Sequence, residues 1–146
     1  MEQQNEDNRY YIPDVEDLRM NYEYWYNVEQ VQYPDNWTEW TIEDEEDYVT
    51  AIRYLKMGVL RTMYLTKEQK EELGWKEVNN SFMFPPWYSY EKGLWSLGYN
   101  IESHQIGILI KDPSTVPDYP RDCGSYRGEC KSINDLRKIM KWLKIE

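Results

Sequence analysis

The chain has one histidine, two cysteines and two phenylalanines in 146 residues, and each shortage closes off a chemistry. A structural zinc ion takes about four ligands from Cys, His or carboxylate. His104, Cys123 and Cys130 supply three, and the histidine is far from the cysteines in sequence, so no metal is expected. The two cysteines bracket the stretch GSYRGE. Across a short hairpin they could face one another and bridge, but in a reducing cytosol free thiols are the expected state. Long apolar runs are missing as well: none approaches the roughly 18 residues of a membrane-crossing helix. The opening residues MEQQNEDNRYY are polar and acidic, unlike a secretory signal. An intracellular protein with no membrane partner is therefore expected. Neither GxxxxGK[ST] nor GxGxxG occurs, so no phosphate-cradling loop is signalled, and the nucleophile motif GxSxG is absent too.

Tyrosine and tryptophan, at 14 and 7 residues, are abundant instead. Their polar tips suit sheet faces and interfaces better than a fully dry core. Acidic charge is abundant too, and unevenly placed. Residues 1–50 hold 15 Asp and Glu against 2 Arg, a net of −13, whereas residues 51–146 hold 12 against 15 Lys and Arg, a net of +3. Phosphate backbones would be repelled by the first half, which disfavours nucleic acid as a partner. Two readings stay open: a solvated face that keeps a ring-rich chain dispersed, or a docking face for a protein with a basic surface.

The order of elements points to an α+β fold. A chain of this length is expected to form one domain over residues 1–146, with residues 1–9 as a tail. Residues 18–26 alternate with Leu18, Met20, Tyr22, Tyr24 and Tyr26 on one side, which reads as a strand. Pro34-Asp35-Asn36 is turn chemistry, and residues 37–42 return as a second strand, giving an N-terminal hairpin. Thr41 with Asp44 approximates a capping box for a helix whose first turn is acidic and whose apolar stripe is Tyr48, Ala51, Ile52 and Leu55. Gly58 is its expected stop. Residues 59–65 read as extended, and Thr66 with Gln69 caps a second internal helix ending at Leu73-Gly74. Strands are expected at residues 75–84, 93–99, 105–111 and 125–130, with a proline-rich loop at 113–120. Ser132 with Asp135 opens a C-terminal amphipathic helix. Ile133, Leu136, Ile139, Met140 and Leu143 form its buried face; Arg137, Lys138, Lys141 and Lys144 point away. With no βαβα alternation, the sheet is expected to be mainly antiparallel.

Candidate chemistry is thin. His104 opens a strand, where a histidine is usually structural, although it could act as a lone base. The acids Glu43, Asp44, Glu45, Glu46 and Asp47 are already accounted for by a helix start. The basic helix face near Trp142 resembles a nucleic-acid patch, but the chain as a whole is acidic. No enzyme activity and no cofactor are expected. In FMFPPWYSYEKGLWSLGYN, residues 82–100, Phe82 and Phe84 share a strand face and are expected in the core. Pro85-Pro86 ends that strand, so Trp87, Tyr88 and Tyr90 fall in the connection beyond, where rings have the least structural reason to be.

Three stretches carry a resemblance: DLRMNYEY from Asp17, RTMYLTKEQ from Arg61 running into ELGW, and YRGECKSINDL from Tyr126 ending in LKI. This succession resembles small uncharacterised proteins of tailed phages of Bacteroidales, including crAss-like phages. The resemblance implies a phage protein acting in the cytoplasm of an infected bacterium, or carried in the virion. The function expected from it is a non-enzymatic accessory protein that binds a host or phage protein, with inhibition of a defence nuclease as one form. A virion assembly role, in which aromatic edges join copies into a homo-oligomer, and a small-ligand (nucleotide) module are the alternatives. The residues expected to meet a basic partner are Trp25, Glu43, Asp44, Glu45, Glu46, Asp47, Trp87, Tyr88 and Tyr90.

Overall fold

Residues 9–79, 84–110 and 125–146 are described in a computed structural model of the chain. They form an α+β fold of three helices and two antiparallel sheets, arranged as two compact units, Met1–Tyr64 and Leu65–Glu146. Among the described residues no helix is long and apolar enough to cross a membrane.

The first unit contains β1 (Tyr10–Tyr11), a 3-10 turn (Val15–Asp17), β2 (Glu23–Tyr26), β3 (Thr38–Thr41), α1 (Glu45–Lys56) and β4 (Leu60–Met63). The sheet order is β1-β4-β2-β3. The N-terminal hairpin is there, pairing Tyr24 with Trp40 and Tyr26 with Thr38. Strand β2 is shorter than the alternation at residues 18–26 implied. Asn21 turns the chain at φ 67°, and the Tyr22 amide donates to the Arg19 carbonyl at 3.1 Å. Leu18 and Tyr22 still reach the core, from a turn rather than a strand. Around Ala51 and Ile42, the rings of Tyr24, Tyr26, Trp40 and Tyr54 pack at centroid separations of 5.1–6.3 Å. Tyrosine here does the work that leucine does elsewhere.

Helix α1 is capped three residues later than Thr41 would place it. The Asp44 carboxylate accepts from the Asp47 amide at 2.8 Å, and the Asp47 carboxylate accepts from the Glu43 amide at 3.0 Å. A carboxylate at this position satisfies orphan amides and the positive dipole end better than a hydroxyl can.

The second unit contains α2 (Lys67–Glu72), β5 (Lys76–Val78), β6 (Trp87–Lys92), β7 (Trp95–Asn100), β8 (Gln105–Ile110), β9 (Tyr126–Glu129) and α3 (Ile133–Leu143). The five strands form a meander in sequence order. Register puts Tyr90, Leu97, Ile108 and Tyr126 in one cross-strand row and Tyr99 beside Ile106 in the next, all on one face. The α3 stripe of Ile133, Leu136, Ile139, Met140 and Leu143 packs with these residues in one core. Each such buried side chain contributes on the order of 2 kcal/mol. That packing joins the sheet and the C-terminal helix.

Two expectations at the prolines are overturned. Strand β5 stops at Val78, and Phe84 is 71 % exposed rather than core. The Trp87–Lys92 segment is strand β6, not a connection, because its backbone pairs with β5 on one side and β7 on the other. Phe82, Cys123 and the proline-rich loop at 113–120 lie outside the described residues.

Candidate functional site

The second unit has an open groove of about 800 Å³, lined by α2, the turn after it, β5 and the start of β6. Its walls follow from local sequence. Thr66 and Gln69 make a reciprocal capping box, with amide–side-chain bonds of 3.1 Å in both directions, and this fixes where α2 begins. Gly74 then turns the chain at φ 92°, and a Cβ there would meet Lys92 Nζ at 2.7 Å. Lys92 Nζ donates to the Leu73 carbonyl at 2.7 Å, closing the end of the helix. Trp75 follows, fully buried, with its indole N–H directed at Met140 Sδ at 3.4 Å. It anchors β5 beneath the groove.

The rim carries both signs of charge. Lys67 bridges Glu77 at 3.0 Å and Glu71 at 3.8 Å. Its hydrogen bond to Glu77, followed by the charges of the two acids, holds its pKa above the ordinary lysine value. Lys76, Asn79, Pro85, Trp87, Tyr88 and Ser89 complete the lining. Strand β5 is the outermost strand of its sheet and has no strand partner on its far side among the described residues. The groove therefore runs along a sheet edge with rings beside it.

Of the expected ring residues, Trp87 (37 % exposed) and half-buried Tyr88 line this groove, while Tyr90 is 3 % exposed and belongs to the core. Alternation puts Tyr88 and Tyr90 on one face of β6 and Trp87 on the other; Tyr90 is enclosed in the core, and Tyr88, nearer the start of the strand, packs partly against it. Beneath Tyr90 lies an unexpected group. Lys70 is only 1 % exposed, and its Nζ sits 4.5 Å from the Tyr90 ring centroid and 4.0 Å from that of Tyr99. No carboxylate pairs with it among the described residues, so the two ring faces take that place. Burial brings its pKa down to about 8 and pushes Tyr90 up to about 12. The Tyr99 hydroxyl meets His104 Nδ1 at 3.1 Å, and burial, then the charge of Lys131, lowers the histidine pKa. Burial also raises the thiol pKa of Cys130 well above its usual value. Lys70, Tyr90 and Cys130 are buried and His104 is half-buried, and none of the four lines the groove.

Trp25 and the five acids are in the first unit. Trp25 is half-buried on β2, edge-on to Tyr10 at 6.4 Å. Arg61 lies between the rings of Tyr10 and Trp37, at 3.5 and 3.8 Å. Asp44 and Asp47 serve the α1 cap, whereas Glu43, Glu45 and Glu46 are exposed. Glu43 to Asp47 thus lie together at the start of α1, Trp87 and Tyr88 line the groove of the second unit, and Tyr90 lies in that unit's core. Sequence reasoning missed the Lys67–Glu77 rim and buried Lys70. The i,i+4 spacing of Lys67 and Glu71 was a legible signal for the first; a lysine facing inward from a short helix leaves none.

No family model, curated protein or solved structure matches this chain. Among the described residues, no group of three or more His, Cys, Asp or Glu side chains could hold a metal ion.

Proposed function

We propose that this chain is a protein-binding module without catalysis of its own, and that an extended segment of its partner lies in the groove beside β5. The observation carrying this reading is an 800 Å³ groove that opens along a sheet edge and is flanked by Trp87, Tyr88 and Pro85. An edge strand supplies affinity through main-chain hydrogen bonds, and adjoining pockets supply specificity through alternate side chains. Trp87 and Tyr88 suit the role of anchors, since large rings lose little rotamer freedom on contact. The mixed rim of Lys67, Glu71, Lys76 and Glu77 then selects register by charge. The resemblance to Bacteroidales phage proteins makes the infected bacterial cell the place to seek the partner, with host defence proteins the first to try.

Panning the immobilised protein against a displayed random-peptide library tests the reading. Wild type should enrich a common motif, and Trp87→Ala should lose it while keeping its melting temperature. No enrichment, or undiminished binding by the variant, would remove the groove from the account. Stabilisation by free nucleotides alone would turn it into a small-ligand site.

A further inference from the structure

The outward face of α3 is the second surface of note. Its buried stripe packs into the core, but Lys138, Lys141, Trp142 and, just past the helix end, Lys144 all face solvent. Trp142 is 64 % exposed, and Lys138, one turn earlier, holds its Nζ 5.1 Å from the indole centroid. Basic side chains near a helix C-terminus complement the dipole, so the lysines alone would call for nothing more. A tryptophan left mainly in water among them has no such account, because indoles of this kind are the residues that anchor interfaces.

We infer that the Lys138–Lys141–Trp142 face of α3 docks the acidic start of α1 in a second copy of this chain. Charge complementarity carries the choice of occupant. Residues 1–64 hold 15 Asp and Glu against 5 Lys and Arg, a net of −10, whereas residues 65–146 hold 12 of each and are neutral. The net negative charge therefore belongs to the first unit, and the exposed basic face of α3 to the second. Glu43, Glu45 and Glu46 are exposed at the start of α1, where the helix dipole favours them and where they remain open to a partner. Either face set against its own copy would put acid against acid or lysine against lysine; acid against lysine can form twice across a two-fold dimer, or once per copy in rings and open chains. A single strand of nucleic acid would also find cations and a stacking ring here, but the net charge of −10 on the whole chain opposes its approach.

Sedimentation velocity on the full chain, across a concentration series at low and at physiological salt, reads the association directly. Attraction between exposed charges reaches ~30 Å at 0.01 M salt and ~8 Å at 0.15 M, so association should weaken as salt rises. Lys138→Glu with Lys141→Glu, and separately Glu45→Lys with Glu46→Lys, should each weaken it by about tenfold. Mixing the two variants should restore it, since each keeps the half the other lost. Trp142→Ala should weaken it with no change of charge. Monomers at every concentration at low salt, or association unmoved by either charge reversal, would overturn the inference. So would monomers that bind a single-stranded oligonucleotide through Lys138 and Lys141. Circular dichroism of each variant separates lost docking from lost folding.

Discussion

Replacing Lys70 with methionine should stabilise this protein at neutral pH, and the gain should fade as the solution becomes alkaline. Methionine keeps the apolar stem and roughly the volume while dropping the charge. Burial takes the ammonium from its ordinary pKa of 10.5 down to about 8, which corresponds to on the order of 3 kcal/mol against the charged form. The faces of Tyr90 and Tyr99, at 4.5 and 4.0 Å, attract the ammonium and limit that shift. Lys70→Met, which drops the charge and keeps the stem, should therefore gain on the order of 1–3 kcal/mol at pH 7. Between the folded pKa of about 8 and the ordinary 10.5, the unfolded wild type keeps a proton that the folded one has released. The unfolded state then binds more protons, so wild-type stability rises with pH across that window. The wild type should gain about 2 kcal/mol on the variant by about pH 10. Cys130, Glu77 and Glu68, whose charges also act on Lys70, and the raised Tyr90 are common to both proteins and largely cancel in the difference. Urea unfolding of both proteins at matched pH measures it. A wild-type-minus-variant difference that stays flat with pH, or a variant destabilised throughout, would refute the reasoning.

Three further substitutions probe separate steps of the account. The Tyr24 hydroxyl is buried without a hydrogen-bond partner among the described residues, and burial followed by the charge of Asp47 pushes its pKa up. Tyr24→Phe should accordingly be neutral or stabilising by about 1 kcal/mol in denaturant titrations. Ser132→Ala removes the oxygen that accepts from the Asp135 amide at 3.3 Å, and should cost about 1 kcal/mol. Leu136→Ala should cost about 2–5 kcal/mol by opening a cavity between α3 and the sheet; a loss below that of Ser132→Ala would mean that α3 is not packed as described.

Local chemistry made much of the fold legible. The capping pairs Thr66–Gln69 and Ser132–Asp135, the α3 stripe and the apolar run of β8 follow from spacing and hydrogen-bonding capacity, and the structure has all four. What failed was arbitration between equally good local readings. Residues 18–26 alternate over a strand's length, yet a positive φ at Asn21 cuts that strand in half. Pro85-Pro86 do not end a strand running from Trp75: β5 stops at Val78, and the prolines stand just before β6. Trp87-Tyr-Ser-Tyr90 looks like surplus rings until β5 and β7 are known to flank it. The groove shows the same limit. Lys67, Glu77 and Trp87 are ordinary residues ten or more positions apart, and pairing between β5 and β6 is what brings them to one cavity.

Hydrogen–deuterium exchange with a peptide selected on the immobilised protein tests the binding edge most directly. Amides of Lys76, Glu77 and Val78 should slow on binding, together with those of Trp87, Tyr88 and Ser89, because an added strand would take up the far edge of β5. Protection confined instead to the start of α1, with β5 exchanging as in the free protein, would contradict the groove as the site of partner binding.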